Sequence, residues 1–107
     1  DRDAHLYKLL TFLEQLVRHL DRLVKHITQL RDIVKKDPED ERAVDVIRQS
    51  VRSLEIVITV LKIFVDSVSD AARSKEAEKI VRKIRKEIDE IRQKLREIDK
   101  EVKKTTS

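Results

Sequence analysis

Apolar residues recur along this chain at alternating steps of three and four, and the middle third carries two such stripes at once. One stripe runs Val44, Ile47, Val51, Leu54, Ile58, Leu61, Val65, Val68 and Ala72. The other runs Val46, Ser50, Ser53, Val57, Val60, Phe64, Ser67 and Ala71. Steps of three and four keep side chains on one face of an α-helix, so each stripe is a continuous seam. One seam is enough to hold a helix in a small bundle. Two seams require two neighbouring layers, and 107 residues leave little chain to build both. The surplus layer is the argument for a binding partner.

The flanking thirds follow the same rhythm. Leu6, Leu9, Leu13, Leu16, Leu20, Leu23, Ile27, Leu30 and Val34 predict a first helix over about residues 3–36. Asp37-Pro38-Glu39-Asp40 ends it and begins the next, with Asp37 as the expected N-cap and Pro38 at the first helical position, where its missing N–H costs nothing. The second helix is expected over about residues 38–70. Ala77, Val81, Ile84, Ile88, Ile91, Leu95, Ile98 and Val102 predict a third helix over about residues 74–104, with fraying at Thr105, Thr106 and Ser107. Its seam is narrow, with Ile80 the one addition. Its other faces are charged, with favourable i,i+4 spacings at Glu78–Arg82 and Glu90–Lys94, so it belongs on the outside with one buried edge. No Gly or Pro marks the second connection, and Ser69, Asp70 and Ser74 are the candidate caps. The apolar phase slips between Ala72 and Ala77, which favours a break there. Without a break, residues 38–104 would form one helix and bury their seams by exchange between chains. The expected fold is an all-α, three-helix antiparallel bundle in a single domain, residues 1–107.

Both flanks of the first helix are also patterned. Leu10, Val17 and Val24 lie on one side, and His5, Phe12, His19, His26 and Ile33 on the other, each set spaced by multiples of seven. In the economical arrangement the main seams of helices 1 and 2 meet in a hairpin. Leu10, Val17 and Val24, with Val44, Val51, Ile58 and Val65, then receive helix 3. What remains is a strip of His5, Phe12, His19, His26 and Ile33 beside Val46, Ser50, Ser53, Val57, Val60, Phe64 and Ser67, bordered by Ile56 and Ile63. At 1.5 Å per residue it runs for about 40 Å, longer than the apolar patches that monomers usually leave in water. Three His and three Ser interrupt it, a pattern suited to a hydrogen-bond network once the strip is covered.

Composition supports this picture. The chain has no Gly, Cys, Met or Trp, one Pro and 43% charged residues. Lack of Gly argues against tight hairpins and bulges. The residues that dominate are those of helical bundles, and such complete avoidance of Gly, Met and Cys is typical of idealised designed ones. Without Cys there is no disulfide or thiolate metal site. No apolar run is long enough for a membrane span and no signal-like start is present, so localisation is left open.

Reactive chemistry is not expected. His residues seven apart stand about 10.5 Å apart along a helix, whereas metal ligands pair at i,i+3 or i,i+4. Ser50 and Ser53 near a His lack the orienting carboxylate of a triad, and there is no Gly-rich phosphate loop. The expectation is therefore no enzyme, cofactor, metal or small-molecule substrate. Residues 73–104 carry 13 Lys and Arg against 8 Asp and Glu, interleaved and without aromatics, which reads as a solvated face rather than a nucleic-acid or membrane surface.

Several segments resemble a known group: His5-Leu6, Thr11-Phe12-Leu13-Glu14, His19-Leu20-Asp21-Arg22-Leu23, Lys25-His26-Ile27, Gln29-Leu30-Arg31-Asp32-Ile33, Pro38-Glu39-Asp40-Glu41-Arg42 and Lys62-Ile63-Phe64. Over about residues 1–68 the chain is similar to one protomer of the de novo designed helical heterodimers. In those, two helical hairpins pair into a four-helix bundle with buried hydrogen-bond networks. The resemblance implies that the His/Ser/Phe strip faces a partner hairpin. The chain departs from that group in having a third helix, and in being apolar at Leu10, Val17, Val24, Val44, Val51, Ile58 and Val65, which suits burial under that helix. The expected function is association with a cognate two-helix hairpin. Symmetric self-association through the same strip, or a monomeric scaffold, are the alternatives.

Overall fold

Three helices, α1 (Arg2–Lys36), α2 (Glu41–Ala71) and α3 (Lys75–Thr106), make up nearly all of the computed structural model, which describes residues 2–106. All three pack against one another in an all-α three-helix bundle. Ion pairs between helices fix the directions. Glu14–Lys83, Asp21–Lys94 and Lys35–Glu101 advance together, so α1 and α3 are parallel. Lys62–Asp89 and Asp66–Arg85 run in opposite order, so α2 is antiparallel to α3.

Both connections are made without positive φ at any described residue, which is how a glycine-free chain turns twice. In the first, Asp37 N–H donates to Ile33 O at 3.0 Å and Asp40 N–H to Asp37 O at 3.2 Å. Pro38 thus sits second in a turn, a place its fixed φ suits. The N-cap of α2 is Asp40, not Asp37: its carboxylate accepts from Ala43 N–H at 3.1 Å. The helix therefore starts at Glu41, three residues after the expected Pro38. The second connection is a real break, so the single long helix and its exchange do not arise. Ala72 is extended (φ −78, ψ 116) and its N–H closes α2 on Ser69 O. Ser74 is the cap of α3, accepting from Ala77 N–H at 3.1 Å, and its hydroxyl also bonds Tyr7 Oη of α1 at 3.1 Å. At the far end α3 continues past Lys104 through Thr105, whose hydroxyl donates to Glu101 O at 2.9 Å. The fraying expected at Thr105 and Thr106 gives way to helix, and Ser107 lies outside the described residues.

The core is wholly apolar, with no buried polar or charged residue among those described. The first seam of α2, Val44 to Ala72, is buried throughout, as is the seam of α3 from Ala77 to Val102. The α1 seam behaves differently. Leu13, Leu20 and Val34 are buried, Leu6, Leu9, Leu16, Ile27 and Leu30 only partly, and Leu23 is 49% exposed. Leu10, Val17 and Val24 take their place in the interior. The cause is α3, which packs more extensively on α1 and α2 than these do on each other. α1 turns its Leu10–Val24 edge inward to meet it. The i,i+4 pairs expected within α3 are not among its ion pairs; Lys94 reaches across to Asp21 at 3.1 Å instead, tying α3 to α1.

Candidate protein-binding face

The face of α1 and α2 opposite α3 is where the second α2 seam lies. Val46, Val57, Val60 and Phe64 are exposed, Ser50 is half-buried, and Ser53, Ser67 and Ala71 face water. Ile56 and Ile63 widen the stripe, and Ile63 at 63% and Val60 at 61% are among the most exposed large apolar side chains in the molecule. α1 contributes Phe12, 59% exposed, together with Ile33 and the exposed rings of His5, His19 and His26. Each residue expected in the partner-binding strip is thus exposed or half-buried, and all lie on α1 or α2.

The antiparallel register brings the two halves of the strip together. An open groove of about 500 Å³ has Leu23, His26 and Leu30 on one wall and Val46, Ser50 and Ser53 on the other. His26 is therefore level with Ser50. The same register sets Phe12 at the level of Phe64 and Ile33 near the start of α2. One end of the strip is then rich in aromatic and branched side chains, while the groove beyond its centre mixes Leu and Val with imidazole, amide and hydroxyl.

The Leu residues of α1 were the part of this face that the pattern of the chain assigned elsewhere. Leu23 belongs to the open face, while the partly buried Leu9, Leu16 and Leu30 line its floor and pack against the core. A signal for this exists in the sequence: Leu10, Leu13, Val17, Leu20, Val24 and Ile27 form a second three–four series, and only one of two overlapping series can point at the core.

The His rings and Ser hydroxyls of the strip do not pair with one another among the described residues. Among the described residues no hydrogen bond joins a His to Ser50, Ser53 or Ser67, and the Ser67 hydroxyl donates to Ile63 O at 3.3 Å on its own helix. Side chains left in contact with water have no need of an internal partner. Nor do ion pairs close the face. Those between helices all involve α3, and none bridges α1 to α2 among the described residues. Within the same residues no three His, Cys, Asp or Glu side chains stand close enough to hold a metal ion, and no helix is long and apolar enough to cross a membrane.

No family model, curated protein or solved structure matches this chain.

Proposed function

We propose that this chain is a protein–protein association module, binding without catalysis, whose α1/α2 face docks a two-helix hairpin to close a four-helix bundle. The observation that carries the proposal is the uncovered second seam of α2 with its extension on α1. Among the described residues nine large apolar side chains stand more than a third exposed, and all nine lie on α1 or α2. Such a surface costs free energy in water and is recovered when a complementary face covers it. The partner's form follows from the geometry that is unfilled: two antiparallel helices with a groove between them accept a second pair, in the manner of left-handed four-helix packing. The similarity of residues 1–68 to designed heterodimer protomers supports the same form. The His and Ser positions become the polar part of that interface and gain hydrogen-bond partners from the hairpin.

Phe12 and Phe64 are the aromatic anchors, level with each other at one end of the strip, and aromatic anchors carry a large share of interface energy. Phe12→Ala or Phe64→Ala is expected to weaken association with a helical hairpin by about 2 kcal/mol. Helicity and thermal midpoint of the chain alone should barely change, because both rings are largely solvated. Titration calorimetry beside circular dichroism makes the comparison. Equal losses in folding and in binding would place these rings in the fold's own interior and refute the proposal.

A further inference from the structure

The edge of α1 that borders the open face is basic; the outer row of α3 (Lys79, Lys86, Gln93 and Lys100) is as basic, but it lies away from that face. Reading along the α1 edge every seven residues gives Lys8, Gln15, Arg22, Gln29 and Lys36, all exposed, with three cations and no acid. Among the described side chains, the other cations of α1 are matched. Arg18 reaches Glu14, Lys25 reaches Asp21, and Arg31 and Lys35 meet Glu101. Lys8, Arg22 and Lys36 form no ion pair with any described residue. Arg22 borders the α1–α3 groove that also holds Glu87 and Glu90, yet reaches neither within ion-pair distance. Asp32, one helical turn before Lys36, is held by Arg31 at 3.1 Å. The matching edge of α2 is different: Arg42, Gln49, Ile56, Ile63 and Asp70 carry one charge of each sign and two exposed apolar side chains.

We infer that the basic edge of α1 selects and orients the partner: the helix of the hairpin that lies against α1 carries an acidic edge opposite Lys8, Arg22 and Lys36, and the helix against α2 does not. This rests on the proposed docking of a hairpin on the α1/α2 face. Edge charges beside an apolar seam choose partners and their direction in paired helices, through encounter rate and exclusion of like charge more than through gross affinity. A second copy of this chain is a poor occupant by the same reasoning. Stacking α1 on its own copy sets Lys8, Arg22 and Lys36 against the same three residues. Stacking it on the partner copy's α2 edge offers Asp70 and a facing Arg42.

The test uses the full chain and two synthetic helical hairpins with an identical Leu/Ile seam. One carries Glu and the other Lys along the edge that abuts α1. At low salt the Glu-edged hairpin is expected to bind about tenfold tighter, mainly through faster association. The gap should close in about 1 M salt, where screening acts over about 3 Å. A chain carrying Lys8→Glu, Arg22→Glu and Lys36→Glu should reverse the preference. These positions are exposed and form no ion pair among the described residues, so its helicity serves as the folding control. If both hairpins bind the parent chain equally at low salt, or the triple reversal leaves the preference unmoved, the charge selection is refuted while docking stands. If neither hairpin binds, both the selection and the docking reading fall together. Association of the chain with itself at the affinity seen for the Glu-edged hairpin would also overturn the inference.

Discussion

One hydroxyl, that of Ser74, holds the second connection from two sides. It caps α3 through Ala77 N–H and fastens the turn to α1 through Tyr7 Oη. Ser74→Ala removes both contacts, so it is expected to cost about 1–2 kcal/mol, a cap plus a part-buried hydrogen bond. Tyr7→Phe removes one and should cost about half as much. Denaturant midpoints of the two variants test this, and equal losses would mean that the cap contributes nothing. Glu101 is the other residue whose surroundings set its energetics. Lys35 donates to its carboxylate at 2.9 Å and Arg31 stands at 3.2 Å, which holds the carboxyl below its ordinary pKa. A folded-state value below the unfolded one means that the unfolded chain binds the proton more readily. The stabilisation is therefore complete above the unfolded value of about 4.3 and is lost as pH falls through the lower folded value. With the carboxylate 37% exposed, solvent screening keeps it small. Glu101→Gln should accordingly unfold at slightly lower urea concentration than the parent at pH 7 and converge with it as pH falls through the lowered folded-state value. A difference that persists unchanged into acid would assign the effect to shape and not to charge.

At the scale of the helix, α3 decides which surfaces of α1 and α2 count as interior. Its removal uncovers Leu10, Val17, Val24, Val51, Ile58 and Val65, all nearly fully buried, at about 1.5–3 kcal/mol for each side chain. A chain ending at Arg73 then exposes apolar surface on two opposite sides. It is expected to aggregate or to lose its cooperative thermal transition, as seen by scattering and circular dichroism. A hairpin as stable as the full chain would refute the role assigned to α3. The elements themselves were legible because their seams are long and regular: the α2 and α3 seams need no tertiary information to identify. Two features were less so. The start of α2 was misplaced because Asp37 and Asp40 both fit a cap, and only the turn that uses Pro38 as its second residue chooses between them. The α1 seam holds at Leu13, Leu20 and Val34, and Leu10, Val17 and Val24 are buried as expected; Leu23 alone turns out to water, because α1 leans its Leu10–Val24 edge toward α3, a property of the assembled bundle.

For the molecule as a whole, the side chains that build the interior and those exposed on the α1/α2 face are largely separate sets. The interior is the space among three helices, filled from the α3 seam, the first α2 seam and the Leu10–Val24 edge of α1. The second α2 seam contributes little to it. The candidate face was readable in the sequence for the same reason: a seam in excess of what three helices can bury has nowhere to go but the surface. The His and Ser pattern does not form a network among the described residues, where these side chains are exposed or half-buried. A direct consequence is that the face can be rewritten without unfolding the bundle. Val46→Gln, Ile56→Gln, Val60→Gln and Ile63→Gln together replace four exposed branched side chains by one with at least equal helix propensity. Exposed substitutions of this kind change stability by about 0.5 kcal/mol or less each, so the thermal midpoint should move by less than about 15 °C and the transition should stay cooperative. Association with a helical hairpin, measured by calorimetry or by mass in solution, should be strongly weakened, because on α2 the variant leaves only Val57 and Phe64 as large exposed apolar side chains. A collapse of the thermal transition in this variant would mean that the second seam is part of the fold after all. Association undiminished by the four substitutions would move the docking surface away from α2 altogether.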